Sequence, residues 1–209
     1  MSIRNITLCA ALALLGLIVS GASAASVTAT LNGMPEYRIF DTSLDGGASF
    51  HRTSAGELHW TRAPGGEFDA FCIELTQRLG YGKYTYDLLP MENNLLSELW
   101  GRDYGKIGDA DTAAAFQLAV WEIVYDEPAL DLKGGMFRIK GAIESQAYFK
   151  TAQSWLGELD GSGPKADLLA MSNPRFQDQV TAAPLPASIW GGLGMLAMTL
   201  MVKLRRRAA

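Results

Sequence analysis

AAAFQLAVWEIVYD, residues 113–126, is the stretch that settles the architecture, because it is the longest run with a helical rather than a β period. At 100° per residue Ala113, Phe116, Val120, Ile123 and Val124 share one arc, Gln117 falls inside it between Val124 and Trp121, and Glu122 lies on the opposite side. A helix over 111–125 is predicted. Asp109 or Asp111 can cap it through a side-chain oxygen, and Pro128 helps to stop it.

Upstream the punctuation changes. Asn32-Gly33, Asp45-Gly46-Gly47, Pro64-Gly65-Gly66 and Gly80-Tyr81-Gly82 separate short β-prone runs, which predicts antiparallel strands over 27–31, 37–41, 50–53, 58–62, 68–75 and 84–88. Further helices are expected over 92–100 and 143–159. Strands followed by helices give an α+β fold, an antiparallel β-sandwich or barrel with a helical layer that carries the Gln117 helix.

A glutamine within an apolar arc is a local inconsistency, since its amide loses free energy when buried without partners. Something must satisfy it or consume it. On the strand preceding the helices, Phe71, Ile73 and Leu75 alternate with Ala70, Cys72 and Glu74, so Cys72 is set apart from the bulky apolar face. If the Cys72 sulfur attacks the Gln117 carboxamide carbon and ammonia leaves, an internal thioester results. Its carbonyl is an electrophile with a good leaving group, open to an amine. Phe71, Phe116 and Trp121 are expected to wall such a site, with Glu74 orienting it or accepting a proton.

Phe71-Cys72-Ile73-Glu74 followed by Phe116-Gln117-Leu118-Ala119-Val120-Trp121 resembles the paired Cys and Gln motifs of bacterial thioester domains, found at the tips of Gram-positive surface adhesins. The resemblance covers roughly residues 68–126. It implies a Cys72–Gln117 crosslink that captures an amine-bearing surface or matrix partner once per molecule, with no cofactor and no turnover. The two residues stand 45 positions apart, unlike the nearly adjacent pair of complement-type proteins.

Both ends read as processing signals. Arg4, the apolar run 8–19 and Ala22-Ser23-Ala24 make residues 1–24 a predicted secretory signal peptide, cut by signal peptidase. Residues 25–172 are then one exported domain, 173–183 a linker, and 184–209 a C-terminal sorting or transmembrane segment. Pro184, Leu185, Pro186 and Ala187, the apolar run 189–202 and Arg205-Arg206-Arg207 resemble the VPLPA-CTERM variety of PEP-CTERM sorting tails, with Ala183 in the valine position. That resemblance implies exosortase processing at the cell envelope, with a transient or retained membrane segment.

Taking Arg4, Lys203, Arg205, Arg206 and Arg207 from the chain's 18 basic residues leaves 13 against 22 acidic ones, a formal balance of −9 for the exported part. Such a surface argues against nucleic acid as a partner. A Cys–His hydrolase using His51 or His59 lacks a recognisable nucleophile turn, and two histidines with one cysteine make no zinc pattern. A noncovalent structural or binding protein of the cell surface or extracellular matrix remains the alternative; Trp60, Tyr81, Tyr84, Tyr86 and Trp100 read as core and sheet packing more readily than as a glycan-binding face, and Asp103, Asp109 and Asp111 as a cap and turn more readily than as a calcium site.

Overall fold

The computed structural model describes residues 25–140 and 144–184. In chain order the elements are β1 (Ala25–Gly33), β2 (Tyr37–Ser43), β3 (His51–Gly56), β4 (Leu58–Ala63), β5 (Glu67–Cys72), β6 (Lys83–Pro90), α1 (Asn94–Asp103), a 3-10 turn (Tyr104–Lys106), α2 (Ala110–Asp126), β7 (Arg138–Ile139), α3 (Ala147–Gly157), β8 (Leu168–Asn173) and β9 (Phe176–Ala182). Six strands close an antiparallel barrel in the order β1-β4-β5-β9-β8-β6, and β3-β2-β7 form a separate sheet. The fold is therefore α+β, with a barrel and a helical layer.

Two cores result. Leu31, Leu58, Trp60, Ala70, Tyr86 and Met171 fill the barrel. Phe71, Leu96, Leu99, Phe116, Leu118, Ile123, Phe137 and Trp155 fill the space between helices and sheets. Neighbouring strand residues point to opposite faces, so Ala70 serves the barrel while Phe71 serves the helical layer. Cys72 ends β5 and is buried in the helical-layer cluster.

Helix α2 touches α1 and α3 as well as β2, β3 and β5, which buries it on every side. The expected one-sided helix is thereby corrected. Glu122, assigned to the side away from the apolar arc, is fully buried, and its Oε1 accepts from Asp131 N at 2.7 Å, so the segment that follows α2 folds back onto it. Asp109 caps the helix: its carboxylate accepts from Thr112 N at 2.8 Å, and Thr112 Oγ1 accepts from Asp109 N at 3.0 Å. Asp109→Ala should lower unfolding stability by about 1 kcal/mol, read as a shifted urea midpoint at unchanged slope.

The expected linker at 173–183 is also corrected. Asn173 closes β8, and Phe176–Ala182 is β9, paired with both β5 and β8. Pro174 and Pro184 made the segment look irregular, yet Pro174-Arg175 only forms the turn of a hairpin in which Asn173 Oδ1 accepts from Arg175 N. Without β9 the barrel would not close. The strand predicted over 68–75 stops at Cys72.

Among the described residues no helix is long and apolar enough to cross a membrane. The expectation of a transmembrane helix and a C-terminal membrane segment is corrected to that extent. Apart from Pro184, the stretch on which it rested lies outside the described residues, as does the signal peptide.

Candidate functional site

Strand β5 and helix α2 cross so that the 45-residue separation collapses to direct contact. The Cys72 N–H donates to Gln117 Oε1 at 2.9 Å, and Gln117 Nε2 donates to the Cys72 carbonyl at 2.8 Å. The carboxamide thus copies the pairing of a neighbouring strand, at the point where β5 runs out of ladder. Both residues are almost wholly buried.

The sulfur sits in a different microenvironment from the backbone. Its thiol donates to the Glu74 carbonyl at 3.0 Å, and burial pushes its pKa up to about 12, so it rests as a neutral thiol. The Trp121 indole N–H lies beside the sulfur and offsets part of that rise, yet it is one of the buried donors without a hydrogen-bond partner.

Gln117, Trp121 and Tyr125 follow at i, i+4 and i+8, one stripe along α2. Their polar tips meet residues 72–75 in succession. Tyr125 Oη accepts from Leu75 N at 2.9 Å and donates to the Ile73 carbonyl at 3.4 Å. Tyr125 therefore carries two of the backbone groups beyond Cys72, while Ile73 N still donates to the Asp178 carbonyl of β9 at 3.0 Å. Tyr125 went unread in the sequence, although its four-residue spacing from Trp121 was there to be seen.

Placement separates the other expected residues. Phe71 and Phe116 pack ring to ring, with centroids 4.6 Å apart, in an aromatic cluster with Trp100 and Tyr104. They do not line the cleft beside the sulfur. That cleft holds about 490 Å³ and is lined by Cys72, Trp121, Leu75, Gln77, Tyr81 and His51, among others. Glu74 does not aim its carboxylate at the sulfur, because Oε1 accepts from the Gln77 N–H at 3.0 Å and also binds Thr76. Gln179, opposite Cys72 on β9, is buried with its Oε1 unpaired.

The competing readings meet other partners. Neither histidine hydrogen-bonds Cys72 among the described residues, so the base that a Cys–His hydrolase needs is not at the sulfur, whose thiol donates to the Glu74 carbonyl instead. Trp60 and Tyr86 are barrel core and Trp100 is helical-layer core, while Tyr81 is exposed. Asp103 pairs with Lys106, Asp111 with Arg38, and Asp109 with its own helix.

No family model matches the chain, and no curated protein matches it. Among solved structures, the N-terminal thioester domain of the fibronectin-binding protein SfbI from Streptococcus pyogenes is similar at 15% identity and a TM-score of 0.44, over 73% of this chain and 96% of that one. The N-terminal domain of the Streptococcus pyogenes pilus tip adhesin Cpa is similar at 15% identity and a TM-score of 0.47, over 80% and 97%. These likenesses are weak and assign no residue a role.

Proposed function

We propose that this domain attaches covalently to an amine-bearing surface or matrix partner through a thioester between Cys72 and Gln117, in adhesion or matrix attachment. The observation that carries the reading is the two-point grip of the Cys72 peptide on the Gln117 carboxamide. It fixes the acyl group on the residue that bears the sulfur.

The chemistry balances without a co-reactant. A carbon–sulfur bond forms, the carbon–nitrogen bond breaks, and the thiol proton ends on the departing nitrogen as ammonia. Charge that develops on Gln117 Oε1 meets the Cys72 N–H already in place, a preset donor in a buried setting. An amine entering by the cleft then displaces the thiol and leaves an amide at position 117. Each molecule reacts once, so the domain is a binder and not a turnover enzyme.

Noncovalent binding is the second reading, and the same hydrogen bonds favour it, since they satisfy the Gln117 carbonyl and one amide proton without any reaction. Intact mass separates the two. The covalent reading expects a folded chain lighter by one ammonia, converted by methylamine into an adduct with one new titratable thiol. It expects neither effect in Cys72→Ala or Gln117→Ala. A full-mass chain whose Cys72 thiol titrates on unfolding leaves only the noncovalent role.

A further inference from the structure

Away from Cys72, the barrel rim gathers three ligand-type side chains. Glu57 and His59 stand two residues apart, on one face of the chain as it enters β4, and Asp69 is the cross-strand partner of His59 on β5. His59 Nε2 lies 3.5 Å from Glu57 Oε2, and His59 Nδ1 lies 3.8 Å from Asp69 Oδ1. One donor atom from each residue falls within 4.8 Å of the others. An ion takes one of the two ring nitrogens, and with tetrahedral bonds of about 2.1 Å it holds its ligand atoms about 3.4 Å apart, so the carboxylate on the other nitrogen has to rotate inward from a separation of at most 4.8 Å.

The charge balance points the same way. Two carboxylates share this patch, the Glu57 side chain is only 15% exposed, and neither forms an ion pair with a lysine or arginine among the described residues. Their one basic neighbour within ion-pair distance is an imidazole. Tyr104 Oη donates to Asp69 Oδ2 at 3.3 Å, which steadies that carboxylate while its other oxygen faces His59. An outer hydrogen bond of this kind is what orients a metal-binding carboxylate.

We propose that Glu57, His59 and Asp69 bind a single first-row divalent cation, with solvent completing its coordination. One imidazole and two carboxylates fit zinc better than calcium, which takes six or more oxygens. The site is independent of the Cys72–Gln117 reading. It uses neither residue.

The test titrates zinc chloride into the full-length chain, purified without a histidine tag, by calorimetry and by competition with a chromophoric chelator. One equivalent should bind in the micromolar range or tighter. Glu57→Gln, His59→Asn and Asp69→Asn should each weaken it at least about tenfold, while His51→Asn changes nothing. Cobalt in the wild-type chain should shift the His59 ring signals in the proton NMR spectrum, a readout that needs no variant to fold. The site is refuted by the absence of saturable zinc binding below about 100 µM, by binding that survives all three substitutions, or by cobalt shifts confined to His51.

Discussion

Gln117→Ala is expected to leave the domain about 2–4 kcal/mol less stable than Cys72→Ala, the comparison that separates the bridge from the crosslink. The bridge uses only the backbone of Cys72, so an alanine there keeps both hydrogen bonds. Alanine at 117 instead leaves a buried N–H and a buried carbonyl without partners, and opens a void beneath α2. Wild type against Cys72→Ala then reads the crosslink, offset by the Gln117 Nε2 hydrogen bond that loss of ammonia removes from wild type and the variant keeps. A bond closing a 45-residue span should add about 4 kcal/mol by chain-entropy reasoning. Urea unfolding of the three proteins gives both differences. Equal stability of wild type and Cys72→Ala, to within about 1 kcal/mol, would argue against a standing thioester; equal stability of the two variants would show that the bridge holds nothing.

Glu122→Gln should stabilise the domain at pH 8 by up to about 4 kcal/mol and leave it nearly unchanged at pH 4. Burial pushes the Glu122 pKa from 4.5 up to about 8, against the opposing hydrogen bond from the Asp131 N–H and with help from the Asp126 and Asp131 carboxylates. Below about pH 4.5 folded and unfolded chains both hold the proton, and ionisation contributes no difference. As the pH rises toward 8 the unfolded chain releases it first, so stability falls, and above 8 the loss levels off. Glutamine keeps the acceptor for Asp131 N and cannot ionise. Its expected signature is the loss of this downward slope in chemical unfolding followed from pH 5 to 8. A slope that persists undiminished in the variant would place its origin in another group.

Helix α2 was legible because its length, its apolar period and its capping aspartate agree with one another. Strands β1 to β6, four in the barrel and two in the separate sheet, were legible from their glycine-marked turns. The last three strands, β7 to β9, were not. In β9 the buried set includes Gln179 and Thr181, polar residues that face the protein interior, so no clean alternation announces a strand. The Asn173-Pro174 turn signal was present, but it has value only when both flanking runs are already taken as strands.

For the candidate site, sequence supplied Cys72, Gln117 and Trp121 because each breaks or anchors a pattern. It misplaced Phe71 and Phe116, since being adjacent in sequence to a site residue on a strand or helix puts a side chain on another face. Glu74 failed for a related reason: strand alternation was carried past Cys72, where the ladder ends and the carboxylate turns back onto its own loop.

What the chain's order of residues determined alone is local: which segments repeat every two residues, which every 3.6, and that a glutamine sits where an apolar side chain was due. Only the tertiary fold decided that α2 would be covered on both sides, that β9 would close the barrel, and that the Gln117 amide would meet the backbone of Cys72. The physical reason is that burial and hydrogen-bond pairing between distant segments depend on every layer being in place at once, and no local period carries that information.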